Sequence, residues 1–223
     1  MKYLDEVVRS NIGLADKVYD SLKNSYLPLT IGGDHALAIG SIAGSSKFFG
    51  EDLAVVWVDA HGDINAPSES GSGLFYGMPV RVLLGESEGV FDQIIEKPMS
   101  PNQFINLGGR VLDQSERRFF EKHNIPVISV YDNKNLLDDI TRAVEATGKR
   151  RLYIHLDLDV TEPSPLISTP VPEPEGLAAE DLLPLLQELD RRFHLTGLGI
   201  FEYKPCGKKS EILDSIIDFG LNF

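Results

Sequence analysis

Asp59, His61 and Asp63 follow one another at a spacing of two, directly after the apolar run Leu53-Ala54-Val55-Val56-Trp57-Val58. In an extended chain, residues two apart leave the same face, so these side chains can converge on one centre. Carboxylate oxygen together with imidazole nitrogen suits a divalent ion of the manganese, iron or zinc kind. A solvated loop after a buried strand is the plainer reading of the triplet taken alone. Asp157 and Asp159 repeat the spacing after Leu152-Tyr153-Ile154-His155-Leu156, and His35 follows Leu27-Pro28-Leu29-Thr30-Ile31 and a Gly-Gly break. Asp-x-Asp is common in loops, but the three stretches together supply four carboxylates and two imidazoles. That set suits two metals about 3.5–4 Å apart that share carboxylates and activate one water between them.

The elements that must position these residues alternate. Leu4, Val7, Val8, Ile12, Leu14, Val18 and Leu22 give an opening amphipathic helix over 4–25. A short strand over 27–31 leads to a helix over 36–42 capped by Asp34, and the 53–58 strand to a Gly/Ser/Pro-rich loop over 62–79. Helical pieces are expected over 80–97 and a strand over 103–107. A helix over 115–123, a strand over 126–130 and a helix over 135–147 follow. The strand over 152–156 runs into a Pro-rich loop over 163–174, then a helix over 178–193, a strand over 195–201 and a closing helix over 209–219. Strands alternating with helices predict an α/β fold with a mostly parallel sheet covered on both faces. His35, Asp59, Asp113, Asp157 and Glu202 each come after a strand, and in such sheets the ligand crevice lies outside the carboxyl ends of the strands.

At 223 residues, 42% hydrophobic and 25% charged, one domain over 1–223 with a sizeable core is the expectation. No apolar run approaches a membrane span, and the first residues do not read as a signal peptide. A net charge of -13 argues against nucleic acid or an anionic membrane as partner, and acidity gathered at the site favours a cationic substrate. The single cysteine, Cys206, excludes an internal disulfide and fits a cytoplasmic protein; no His/Asp partner suggests a nucleophile there.

Gly32-Gly33-Asp34-His35, Asp59-Ala60-His61-Gly62-Asp63-Ile64-Asn65 and Asp157-Leu158-Asp159 resemble, in this order, the three signatures of the ureohydrolase family, the arginases and agmatinases. Ser72-Gly73-Leu74-Phe75-Tyr76-Gly77-Met78-Pro79 and Phe201-Glu202-Tyr203-Lys204-Pro205 resemble two further segments, and the similarity is closest to the arginase branch. The resemblance implies a three-layer αβα fold and two manganese ions per chain. One would be held by His35, Asp59, Asp63 and Asp157, the other by Asp59, His61, Asp157 and Asp159. It implies hydrolysis of the guanidino group of arginine or a related compound to urea and an amine, by attack of an activated water on the guanidinium carbon. Asp159 would pass the water's proton to the leaving amine, and Glu202 would pair with the guanidinium. Asn65 and Ser72 match positions that hold an amino acid's carboxylate, and Asp113 one that reads its α-amino group. A homo-oligomer is a further implication, and the chain is short at both ends relative to the family.

The pattern breaks in places. Tyr76 stands where the family's usual histidine moves protons, and a phenol of pKa about 10 is no shuttle near neutral pH, which predicts slow turnover over an intact metal site. His155 replaces a small polar residue; it faces the side of Asp157 and is a core histidine, a partner of a ligating carboxylate or a substitute shuttle. Glu162 replaces an Asp, and Lys204, where the family has Asn, could pair with Glu202 and compete with a guanidinium. These departures keep two rivals open: hydrolysis of agmatine, another guanidino acid or a formimino compound, and metal binding with little catalysis.

Overall fold

From β1 (Leu29–Ile31) onward, apolar runs form strands and amphipathic stretches form helices in alternation, after an opening helix α1 (Leu4–Lys23). The computed structural model describes residues 1–207 and 209–223. The strands are β2 (Leu53–Val58), β3 (Phe104–Leu107), β4 (Val127–Ile128), β5 (Arg151–Asp157) and β6 (His194–Phe201). The helices between and after them are α2 (Ala38–Phe49), α3 (Pro79–Leu83), α4 (Gln114–His123), α5 (Leu136–Ala146), α6 (Ala179–Arg192) and α7 (Glu211–Gly220).

The sheet order is β1-β6-β5-β2-β3-β4, and every pairing is parallel. All six residues of β2 are buried, as expected of a strand covered on both sides. On one face Val56, Val58, Ile154 and Leu198 pack with Ile140 of α5, Leu182 and Leu186 of α6 and Ile216 of α7. On the other, Val55, Trp57 and Tyr153 pack with Ile42 of α2, Val80 of α3 and Phe119 of α4. The architecture is therefore three-layer αβα, with α1 laid on α2 as an outer cover.

Three boundaries differ from expectation for physical reasons. The helix after β1 opens as a 3₁₀ turn at His35–Leu37 and runs on to Phe49. Gly44 lets α1 come close: a Cβ there would lie 2.5 Å from the Ala15 carbonyl oxygen. Over 80–97 only α3 is helical, because Gly85-Glu86-Ser87-Glu88-Gly89 turns the chain. β4 shrinks to two residues at the sheet edge, bonded only to β3 and preceded by Pro126. Among the described residues no helix is long and apolar enough to cross a membrane.

With all strands parallel, their carboxyl ends lie along one edge. Register puts Trp57 beside His155 and Asp157 beside Phe201. The ends of β1, β6, β5 and β2, four neighbours, thus bring His35, Glu202, Asp157 and Asp59 to one place.

Candidate metal centre

Asp59 is the hub. Its carboxylate, wholly buried at the end of β2, lies with Oδ2 3.6 Å from His35 Nδ1 and Oδ1 3.4 Å from His61 Nδ1. His35 Nδ1 is 2.7 Å from Asp157 Oδ2, and His61 Nδ1 is 3.0 Å from Asp159 Oδ2. Two ligand groups result, His35 with Asp59, His155 and Asp157, and Asp59 with His61 and Asp159; within each, the donor atoms lie within 4.8 Å of one another.

The local chain explains the convergence. The Asp59 side chain accepts the His61 N–H at 2.7 Å, Asp157 accepts the Asp159 N–H at 2.8 Å, and Asp159 Oδ1 accepts the Ala60 N–H at 3.1 Å. The last of these ties the β5 end to the β2 end. Trp57 Nε1–H donates to Asp59 Oδ2 at 3.1 Å and to Asp63 Oδ2 at 3.2 Å. Its position two residues before Asp59 put it on the right face, but its apolar context hid that role.

Asp63, in a left-handed backbone conformation at φ 48°, lies 3.7 Å from His35 Nε2, on the opposite edge of the ring from Nδ1. His155, and not Asp63, is among the residues grouped with His35, and Asp157 falls in the first group alone. His155 is not a core histidine satisfied by backbone: neither ring nitrogen has a hydrogen-bond partner among the described residues.

The charge state of the centre follows from burial and crowding. Burial raises the carboxyl pKa values of Asp63, Asp157 and Asp159, and the Asp59 charge raises them further. Burial also opposes ionisation of Asp59, but the imidazoles of His155, His35 and His61 around it hold it well below the ordinary range. Burial works against charge on His61 as well, and Asp159 and Asp59 still push it up to about 11. His35 is raised in the same way by Asp63, Asp157 and Asp59 against its burial. Burial lowers His155 to about 4.

These residues fit a pair of divalent ions. The Tyr76 carbonyl can only accept, so His35 Nε2 carries the proton in their 2.6 Å bond. Nδ1 then faces the Asp157 carboxylate at 2.7 Å and needs a proton or a cation between the two. An imidazole that donates one N–H to a backbone carbonyl and turns its other nitrogen into a carboxylate cluster is the arrangement of a metal ligand.

A cavity of about 340 Å³ opens over the centre, lined by His61, Asp63, Asp159, Tyr76, Val171 and Glu202 among others. Glu202, at φ 59°, accepts the His35 N–H through Oε1 at 2.8 Å, and burial raises its pKa. Among the described residues no ion pair joins it to Lys204, whose side chain is exposed. Tyr76 lines the cavity and is 42% exposed. Asn65, Ser72 and Asp113 do not line it. Asn65 donates to Asp113 Oδ2 at 2.9 Å and accepts from Ser115 Oγ at 2.7 Å, while Ser72 Oγ accepts the Leu74 N–H within its own loop. Sequence reasoning missed Glu173, whose Oε1 lies 3.8 Å from His61 Nε2. It missed Arg110 too, which ties the Pro-rich loop down by donating to the carbonyls of Glu173, Pro174 and Asp159. Only the folded loop brings them near.

Comparison with known proteins gives the same kinship. A sequence model of the Arginase family matches residues 4–214. An arginase of Staphylococcus aureus is 30% identical over 210 residues, which cover 92% of this chain and 69% of the relative. The solved arginase of Bacillus caldovelox superposes with a TM-score of 0.90 at 26% identity, covering 100% of this chain and 78% of that one. The Entamoeba histolytica arginase in complex with L-ornithine gives 0.88 at 27% identity, covering 99% and 78%. With the family model matched over residues 4–214 and the whole α/β core superposing on a solved arginase, the chain belongs to the arginase family and is an arginase-family hydrolase.

Proposed function

We propose that the protein is a binuclear manganese amidinohydrolase that cleaves the guanidino group of arginine or a close analogue to urea and an amine. The observation that carries the reading is the sharing of Asp59 between two ligand groups at the floor of a cavity walled by Glu202 and Asp159. In this reading His35, Asp59 and Asp157 hold one ion, and Asp59, His61 and Asp159 the other. A bound pair of divalent ions supplies Lewis acidity and lowers the pKa of water.

The chain's own residues do the rest. Glu202 has Oε1 engaged by the His35 N–H, which leaves Oε2 to accept from a guanidinium, the planar cation that a carboxylate pairs with best. Asp159 is fixed through Oδ1 by the Ala60 N–H, and its Oδ2 lies 3.0 Å from His61 Nδ1. That oxygen is the group that takes a proton from water and returns it to the leaving amine. Pro170 and Val171 close one side of the cavity and limit the water that reaches it. The E. histolytica arginase structure holds L-ornithine, an amine product of the proposed kind.

A second reading keeps the chemistry and changes the substrate. The engagement of Asn65 by Asp113 and Ser115, away from the cavity lining, favours a guanidino or amidino compound that lacks the amino-acid end. The test is urea release from arginine and from agmatine on manganese-loaded protein whose metal content is measured. Urea from arginine alone supports the first reading and urea from agmatine the second. Two bound metals with no urea from either refutes both substrates. The acidic, single-cysteine chain suits a cytoplasmic enzyme, and a homo-oligomer is the expected assembly.

A further inference from the structure

His155 lies on β5 two residues before Asp157 and shares its face of the strand. It is fully buried, and both ring nitrogens are without a partner among the described residues. Buried polar groups are almost always satisfied, and an imidazole in a nest of carboxylates and a second imidazole has a metal as its natural partner. The nearest carboxylate oxygen, Asp59 Oδ2, is 3.7 Å from Nε2, too far for a hydrogen bond.

Packing fixes where the ring points. It stacks on Trp57 with centroids 3.5 Å apart at 17°, and on Phe201 at 5.0 Å and 24°. Held in that slot, it contributes a donor atom to the same small volume as His35, Asp59 and Asp157, all within 4.8 Å of one another. Donors bound to one ion at about 2.0–2.3 Å lie at most about 4.6 Å apart, so this is close to the spread of a ligand set. Asp63 stands beside the group without joining it: its Oδ2 accepts from the Trp57 N–H that Asp59 also accepts, and lies 3.7 Å from Nε2 of His35, whereas Asp157 lies against Nδ1.

We propose that His155 is a ligand of the first metal, beside His35, Asp59 and Asp157, in the place that Asp63 fills in the expected set. The proposal rests on the metal centre proposed above. It exchanges a carboxylate for an imidazole, so the first position has two nitrogens and two carboxylates. Carboxylates suit manganese, whereas imidazoles suit zinc, nickel and iron, and the exchange shifts the preference of this position toward the latter. His155 is then a determinant of which metal the chain takes.

The experiment uses the full chain, stripped of metal and titrated separately with Mn²⁺ and Zn²⁺ against a chromophoric chelator, for the wild type, His155→Ser and Asp63→Asn. His155→Ser is expected to weaken zinc at one of two positions by about tenfold or more, a typical cost of disturbing a metal's coordination, and manganese by less. Asp63→Asn is expected to leave zinc near the wild-type value. The Co²⁺-loaded wild type is expected to give strongly shifted, exchangeable imidazole N–H proton resonances from each of His35, His61 and His155, with the last absent in His155→Ser. Resonances from His35 and His61 only, at full metal content, overturn the role of His155. So does an equal loss of zinc and manganese in His155→Ser. Failure of the wild type to bind either metal at a defined stoichiometry overturns the metal centre itself. Should His155→Ser not fold, the wild-type cobalt spectrum decides the question alone.

Discussion

Replacing Trp57 by Phe tests whether the indole N–H organises the carboxylates at the proposed metal centre. Phe keeps the apolar ring that stacks on His155 and removes the one donor shared by Asp59 and Asp63. A hydrogen bond to a charged acceptor contributes about 1.5–3 kcal/mol. Here a single N–H is split between two oxygens at 3.1 and 3.2 Å, so the lower part of that range applies, about 1.5–2 kcal/mol. At 1.4 kcal/mol per factor of ten, metal affinity should fall by about 10- to 30-fold. The smaller ring also leaves space in a site where Trp57 is 1% exposed, so the stability of the metal-free protein should fall by about 1–3 kcal/mol. Chelator competition reads the first effect and melting in excess chelator the second. A dissociation constant within about threefold of the wild type in a folded variant would refute the reasoning and reduce Trp57 to a packing residue.

Tyr76→His restores an imidazole at the cavity mouth and is expected to raise urea release by up to about 10²–10⁴-fold at unchanged metal content; unchanged or lower turnover would show that proton transfer does not limit this enzyme. Raised histidine pKa values lend stability that is complete below the unfolded value near 6.5 and is lost as pH climbs toward about 11, the value for His61. Metal-free protein should therefore melt at progressively lower temperature from about pH 6.5 to 9, and a rise over that window would contradict the charges assigned to His35 and His61. Metal must displace these protons, so calorimetric titrations in buffers of different ionisation enthalpy should register net proton release. Gly108, at φ 104°, has no room for a side chain: a Cβ would lie 2.6 Å from Val160 Cγ2 and 2.8 Å from the Asp59 carbonyl oxygen. Gly108→Ala should destabilise the fold by about 1–3 kcal/mol and weaken metal binding as well, and a variant with wild-type melting would show that the turn yields freely.

The β2 strand was legible to the residue because an uninterrupted apolar run bounded by acidic residues admits little else. The helix over 38–49 was not, since Gly44-Ser45-Ser46 resembles a stop until α1 is seen pressing against it. The strand order could not be read at all, because contacts between β1 and β6 depend on which surfaces are covered, not on local pattern. In the site, the spacing of Asp59 and His61, and of Asp157 and Asp159, marked them as side chains that could converge, through the geometry of an extended chain, and only the combination of stretches suggested a metal pair. Asp63 departs from the extended chain at a positive φ, and its carboxylate comes to rest beside Asp59, 3.7 Å from His35 Nε2, through the shared Trp57 N–H. Glu173 and Arg110 meet the site through an irregular loop, for which sequence carries no periodic signal.

β6 is last in sequence among the strands and yet lies between β1 and β5. Until it is made, β1 has no neighbour, and His35 meets Asp157 and Glu202 across separations of 122 and 167 residues. A chain emerging from the ribosome therefore lacks the His35 side of the centre until its last strand is in place, whereas Asp59, His61 and Asp159 need only β2 and β5. Completion of the first ligand group is thus a late event of biosynthesis, coupled to closure of the finished sheet.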